Sequence, residues 1–243
     1  MMKRFFTITL AVALILLPAC QLVPGTGRSQ FNFIPFSQEM ALGSEAYSET
    51  LANEKIITSG PDAAMVHRIG QRVAQVAIEL YPENASKFDW EFALIDSPDM
   101  VNAWAMPGGK CAVYTGLLPV TQDENSLAIV MGHEVAHAIA RHGGERMSQQ
   151  ILFSGAMLGA SYKLRDETPE KRAKILGLMG AGATVGVMLP FSRAHESEAD
   201  EIGLTLAASS GYDPRAAIPL WRRMGASSFA RRTWWHLWGA PIW

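Results

Sequence analysis

The twelve residues MGHEVAHAIARH, Met131 to His142, hold three of the chain's six histidines. His133 and His137 are four apart, so on a helix they share a face, one turn above the other. Two imidazoles so placed can reach one zinc ion. Glu134 stands beside the first, where a carboxylate can take a proton from water activated by the metal, and the arrangement is H-E-x-x-H. A catalytic zinc takes three protein ligands and keeps a fourth position open. Any fold that uses the pair must therefore bring a third ligand to it from elsewhere in the chain. The alternative is a surface helix that happens to be rich in histidine.

The surrounding sequence favours an interior helix. Leu127, Ile129, Val130, Val135, Ala136, Ile139 and Ala140 supply apolar faces. Thr121 and Glu124 have capping-box spacing at one end, and Gly143-Gly144 is expected to stop the helix at the other, leaving HEVAH well inside about 20 residues. Downstream, SRAHESEADEIG offers His195, Glu196 and Glu198. These point in different directions on a helix, so at most one reaches the metal. Glu196 has Asp200 four residues on, on its own face, where a carboxylate can accept the free N–H of a ligand histidine and fix its tautomer. Glu198 has Ile202 at that position and His195 has Ala199. Glu196 is thus the expected third ligand and Asp200 its supporting group.

Two helices are expected before the motif, from Ser37 and from Gly60. In the second, Val66, Ile69, Val73, Val76 and Ala77 recur at three- and four-residue steps. A strand is expected over Trp90 to Ser97, then two short strands joined by Pro107-Gly108-Gly109. The second of these, in GGKCAVYTG, is expected to pair edge to edge with an extended substrate. Glu145 to Leu189 reads as a helical hairpin whose arm ILGLMGAGATVGVML, apolar on all sides, is expected in the buried core rather than in a membrane. A further helix runs from near Ser192 to Gly211, and Asp213-Pro214 caps another.

The N-terminus is different in kind. A basic MMKR precedes about a dozen apolar residues and then LPAC, Leu17 to Cys20. Small residues before a cysteine resemble a bacterial lipobox, which implies cleavage before Cys20, acylation of Cys20 and attachment to a membrane without a spanning helix. Gln21 follows, which in that sorting scheme implies the outer membrane. Residues 1–19 are then the signal peptide, 20–36 a tether with an ordered lead-in, and 37–226 the folded domain. Only Cys111 remains, so no disulfide holds the chain together, and Cys111 is expected as a small buried apolar residue. With 49% hydrophobic and 18% charged residues the chain is globular, and a net charge of −2 argues against a nucleic-acid partner.

NAWAMPGGKCAVYTGLL, GHEVAHAIARH and SRAHESEADEIGL, in that order, resemble the Ste24/HtpX-like zinc metallopeptidases, and most closely their periplasmic lipoprotein branch. Relatives of that branch include the mitochondrial inner-membrane quality-control protease. The resemblance covers roughly Phe31 to Ala226. It implies an α+β, mainly helical, zincin-like (gluzincin) domain with a small sheet and an active-site helix. It implies one Zn2+ held by His133, His137 and Glu196, with Glu134 as catalytic base. It further implies protein or peptide substrates, often misfolded or misassembled envelope proteins, partners in outer-membrane assembly, and a place on the periplasmic face of the bacterial envelope. After Ala226 the chain departs from the family's usual continuation. Residues 227–243 read as an atypical Trp-rich tail in which His236 is a candidate replacement for a missing histidine. A second reading is a zinc-stabilised, chaperone-like lipoprotein with little proteolysis.

Overall fold

The computed structural model describes residues 20–184 and 188–226. The expected signal peptide, and the tail with His236, lie outside the described residues. Strands β1 (Cys20–Leu22) and β2 (Ser29–Phe31) pair antiparallel. Helices α1 (Phe36–Ala52) and α2 (Pro61–Leu80) and the single turn α3 (Pro82–Ala85) lead to a second sheet. Its strands are β3 (Glu91–Ile95), β4 (Ala103–Met106) and β5 (Lys110–Tyr114). Then follow α4 (Leu118–Thr121), α5 (Glu124–Ile139), α6 (His142–Lys163), α7 (Pro169–Ala183), α8 (Leu189–Ser209) and α9 (Ala217–Ala226).

The apolar stripe of α2 becomes a core face: Ala63, Val66, Ile69, Val73 and Ala77 are buried, and Val76 is half-buried at its rim. Proline at the first position of α2 starts it without wasting an N–H. Pro107-Gly108-Gly109 joins β4 to β5 as expected. Both glycines have positive φ, +89° and +80°, and a Cβ on Gly109 would lie 2.6 Å from the Trp90 ring, so a side chain is excluded by conformation and by space. Cys111 is buried on β5, and burial pushes its thiol up.

The second sheet runs β3-β5-β4, with β3 parallel and β4 antiparallel to β5. The expectation that the GGKCAVYTG strand offers an edge is therefore wrong. β5 is central and buried along its whole length, and the outer strands are β3 and β4. A run with no polar alternation is what a strand covered on both faces requires.

Three other expectations are corrected. The cap of α5 is Asp123, whose Oδ1 accepts from Ser126 N at 2.8 Å, while the Thr121 hydroxyl donates back to Leu118 O at 3.1 Å and closes α4. Gln122, at φ +67°, separates the two helices. Gly143-Gly144 does not end α5. Arg141 does, by entering the left-handed region at φ +59°, and the glycines lie within α6. Finally, the α6–α7 hairpin is not core. Only the root of α6 is buried, at His142, Gly144, Glu145 and Ser148, and none of the described residues of α7 is. Leu158 and Leu178 are 73% and 67% exposed. The two helices pack chiefly on each other, which leaves large apolar side chains such as Leu178 and Met179 exposed. No described helix is long and apolar enough to cross a membrane.

α5 runs through the centre, buried by α2, by β4 and above all by α8. Where α5 meets α8, two glycines face each other. A Cβ on Gly203 would lie 2.7 Å from the backbone N and Cα of His133, and one on Gly132 would lie 2.7 Å from Gly203 O. We expect Gly203→Ala to force the helices apart and lower stability by roughly 1–3 kcal/mol. Gly155→Ala, in open space on α6, should be neutral or stabilise by up to about 1 kcal/mol. Urea unfolding of both variants checks this, and equal midpoints would refute the crossing as a constraint.

Candidate metal centre

The glycine crossing holds two histidines of α5 against one glutamate of α8. His133 Nε2 and His137 Nε2 are 3.1 Å apart, and Glu196 Oε2 lies 3.4 Å and 3.6 Å from them. A tetrahedral zinc with bonds of 2.0–2.1 Å has ligand atoms about 3.3–3.4 Å apart. The three atoms thus form one face of such a tetrahedron. Glu196 Oε2 is buried with no hydrogen-bond partner, which suits a metal ligand and little else. Two imidazoles and a carboxylate also match the donor types that zinc accepts. These three residues could hold a metal ion.

Around this face each histidine is held by its other nitrogen. His133 Nδ1 meets Asp200 Oδ1 at 2.9 Å. His137 Nδ1 meets a third ring, His142 Nδ1, at 2.8 Å, and His142 Nε2 meets Glu198 Oε2 at 2.8 Å. Since a carboxylate only accepts, His142 carries its proton on Nε2 and turns a lone pair toward His137, whose Nδ1–H donates and whose Nε2 keeps the lone pair that a metal ligand needs. His142 also stacks on His195, with ring centroids 4.2 Å apart, and His195 bonds Glu145 Oε2 at 2.8 Å. His195 and Glu198, the other two candidates for third ligand, thus point into this buried network, while Glu196 points to the two rings. Cys20 is exposed at the start of β1.

The turn at Arg141 makes this possible by folding α6 back so that His142 reaches His137. Its left-handed backbone is fixed by the side chain: Nε and Nη2 donate to Glu39 Oε2 at 2.9 and 2.7 Å, Nη2 to Ile34 O at 3.0 Å and Nη1 to Gln21 Oε1 at 2.6 Å. The sequence reading missed His142, Glu145, Arg141 and Arg28. His142 sits at the end of the motif, five residues after His137, and that spacing was a usable signal. For Arg28, more than a hundred residues away from its partners, there was none.

The three acid–base groups are set apart by their surroundings. Burial disfavours a charged His133 ring, yet the bond to Asp200 and the charges of Glu134 and Glu196 outweigh it and raise its pKa to about 10. Burial dominates at His137, which falls to about 4 and is neutral at pH 7. Burial likewise pushes Glu134 up to about 7, helped by the charge of Glu196 and opposed by His133 and the Ala105 N–H on β4.

The pattern that defines peptidase family M48 matches residues 62–238. The chain belongs to peptidase family M48. Its architecture, mainly helical with small sheets, is the zincin-like fold of that family. The chain is 34% identical over 208 residues to the mitochondrial metalloendopeptidase OMA1 of Schizosaccharomyces pombe, covering 84% of this chain and 57% of that protein. It is 31% identical over 204 residues to the beta-barrel assembly-enhancing protease of Yersinia pestis, covering 83% and 40%. Against the protein of that name in Escherichia coli it is 29% identical over 199 residues, covering 80% and 39%. The chain therefore spans only part of the length of these M48 relatives.

Glu145 gives a pH test of the network. Burial alone would raise its pKa, but bonds and charge from His195 and Arg28 prevail and hold it at about 2, below the usual 4.5. A depressed carboxylate stabilises the fold above its unfolded value, and that contribution is lost as pH falls from 4.5 through 2. We expect wild-type stability to drop by on the order of 3 kcal/mol more than that of Glu145→Gln across this window. Denaturant midpoints measured against pH check it. Parallel profiles for the two proteins would exclude the role of Glu145.

Proposed function

We propose that this M48 chain is a zinc-dependent endopeptidase of the bacterial envelope, anchored through an acylated Cys20 and acting on misfolded or misassembled envelope proteins. The observation that carries the catalytic part is the convergence of His133, His137 and Glu196 beside Glu134 at an outer strand of the sheet. In this reading the first three are the zinc ligands, one ion per chain, Glu134 is the base, and Asp200 holds His133. The relatives named as beta-barrel assembly-enhancing proteases support the envelope setting and partners in outer-membrane assembly. The LPAC sequence supports the anchor.

A zinc ion bound there supplies Lewis acidity, polarising the scissile carbonyl and making a water more acidic. The residues do the rest. An extended peptide adds alongside β4, an outer strand of the sheet, where backbone hydrogen bonds align it. Glu134, touched by the Ala105 N–H of that strand, is thereby beside the peptide bond. Its carboxylate takes the proton of the attacking water and returns it to the leaving amine. His137 turns its Nε2 toward the metal face, its tautomer set through His142.

Glu134→Gln should keep zinc and lose cleavage of an unfolded protein such as casein by at least 100-fold, in line with loss of a general base. His137→Ala and Glu196→Ala should each lose zinc, measured by metal analysis of the purified protein. Casein cleavage by Glu134→Gln at the wild-type rate would reject this mechanism. For the anchor, Cys20→Ala should leave the protein unprocessed or release it from membranes. Fractionation that finds it processed and still anchored would reject the lipobox.

A further inference from the structure

β1 and β2 belong to the stretch that the sequence suggests is a tether, yet their loop enters the buried network behind the metal face. Arg28 donates from Nη1 and Nη2 to the two oxygens of Glu145 at 3.2 and 2.8 Å, and from Nε to Glu198 Oε2 at 3.0 Å. Thr26 donates to the other oxygen of Glu198, and Phe31 N to Glu145 at 3.2 Å. Both carboxylates are buried, at 0% and 4% side-chain exposure, and among the described residues no other side chain hydrogen-bonds to both. Glu198 in turn faces His142, and His142 faces His137. On the opposite flank Gln21 of β1 bonds Arg141, the residue whose left-handed turn delivers His142. The N-terminal hairpin thus touches both devices that fix the second histidine.

We propose that Arg28 is a positioning residue of the metal centre: it locks Glu198 and Glu145 so that His142 orients His137, which makes the Cys20–Phe31 hairpin part of the site. The inference rests on the zinc reading above. A guanidinium suits the task because its planar fork can serve two carboxylates at fixed angles, whereas an ammonium is a point charge on a flexible stem. Without Arg28 the two acids repel and Glu198 is free to leave His142. That ring can then turn either nitrogen to His137 and no longer fixes which nitrogen His137 offers. The position of Arg28 also ties the site to the proposed anchor, since only a few residues separate it from Cys20.

The test uses the full chain, with zinc affinity measured by competition against a chelator and the visible spectrum of the cobalt-substituted protein recorded in parallel. Changes to groups that orient metal ligands weaken affinity roughly 10- to 100-fold, and this is expected for Arg28→Ala, with a shifted cobalt spectrum. Arg28→Lys should fold, keep the charge and bind zinc several-fold more weakly than wild type. Val73→Ala, a core change on α2 away from the network, should lower the melting temperature and leave zinc affinity unchanged. Wild-type affinity in either Arg28 variant overturns the proposal, and so does an equal affinity loss in Val73→Ala. If Arg28→Ala fails to fold, Arg28→Lys decides by the same criterion. A wild-type protein that takes up no zinc overturns the zinc reading and this inference together, whereas zinc in wild type with unaffected variants overturns the inference alone.

Discussion

Two helix backbones meet at Gly132 and Gly203 with no side chain between them, and the metal face depends on that approach. α5 carries the two histidines and α8 the glutamate, and neither alone can bind a metal tightly. Their separation is set by van der Waals contact between main chains, the least compressible spacer a protein has. The ligand atoms then fall at tetrahedral spacing without adjustment by flexible side chains. The sheet and α2 serve the same end from the other side, pinning α5 so that β4 lies along it and Ala105 reaches Glu134.

Buried charge is the second constraint. Glu39 with Arg141, and Glu145 and Glu198 with Arg28, lie where an unpaired ion would cost several kcal/mol. Pairing and dense hydrogen bonding offset that cost, and in return the structure gains fixed directions. Arg141 is held in a backbone conformation that a residue with a side chain rarely adopts, and His142 is given one tautomer. The charges therefore specify geometry more than they add stability, and they do so where geometry matters most.

Features set by neighbours in sequence could be read from the sequence. The α2 stripe, the Pro-Gly-Gly turn and the pairing of Glu196 with Asp200 all follow from spacing, and the structure brings Glu196 to the histidines and Asp200 to His133. Features set by distant partners could not. Thr121 matched a capping pattern, but Asp123 is the residue beyond the left-handed Gln122, and local spacing does not reveal that turn. Gly143-Gly144 looked like a helix stop, yet the stop is Arg141, strained into place by Glu39 from α1. The strand order was misread: GGKCAVYTG was expected to offer an edge, whereas the apolar Cys111–Tyr114 stretch of β5 belongs to a central strand. The arm after Lys174 misled for a plain reason: apolar composition shows what a segment tolerates, not where the chain path leaves it.

That chain path has a consequence for how the domain can vary. The hairpin leaves the body at the root of α6, clamped by Glu145 and Ser148, and the chain returns where α8 is clamped by His195 and Glu198. Between those anchors the described residues of α7 contribute nothing to the core. Topologically the segment is an insert between two fixed points, and doubling the length of such a closed segment adds only about 0.6 kcal/mol of entropy cost. Its outer turns are thus free to lengthen, shorten or change polarity without moving a ligand. In design terms it is a socket, where a binding module could be exchanged while the metal face, built on the other side of both clamps, stays as it is.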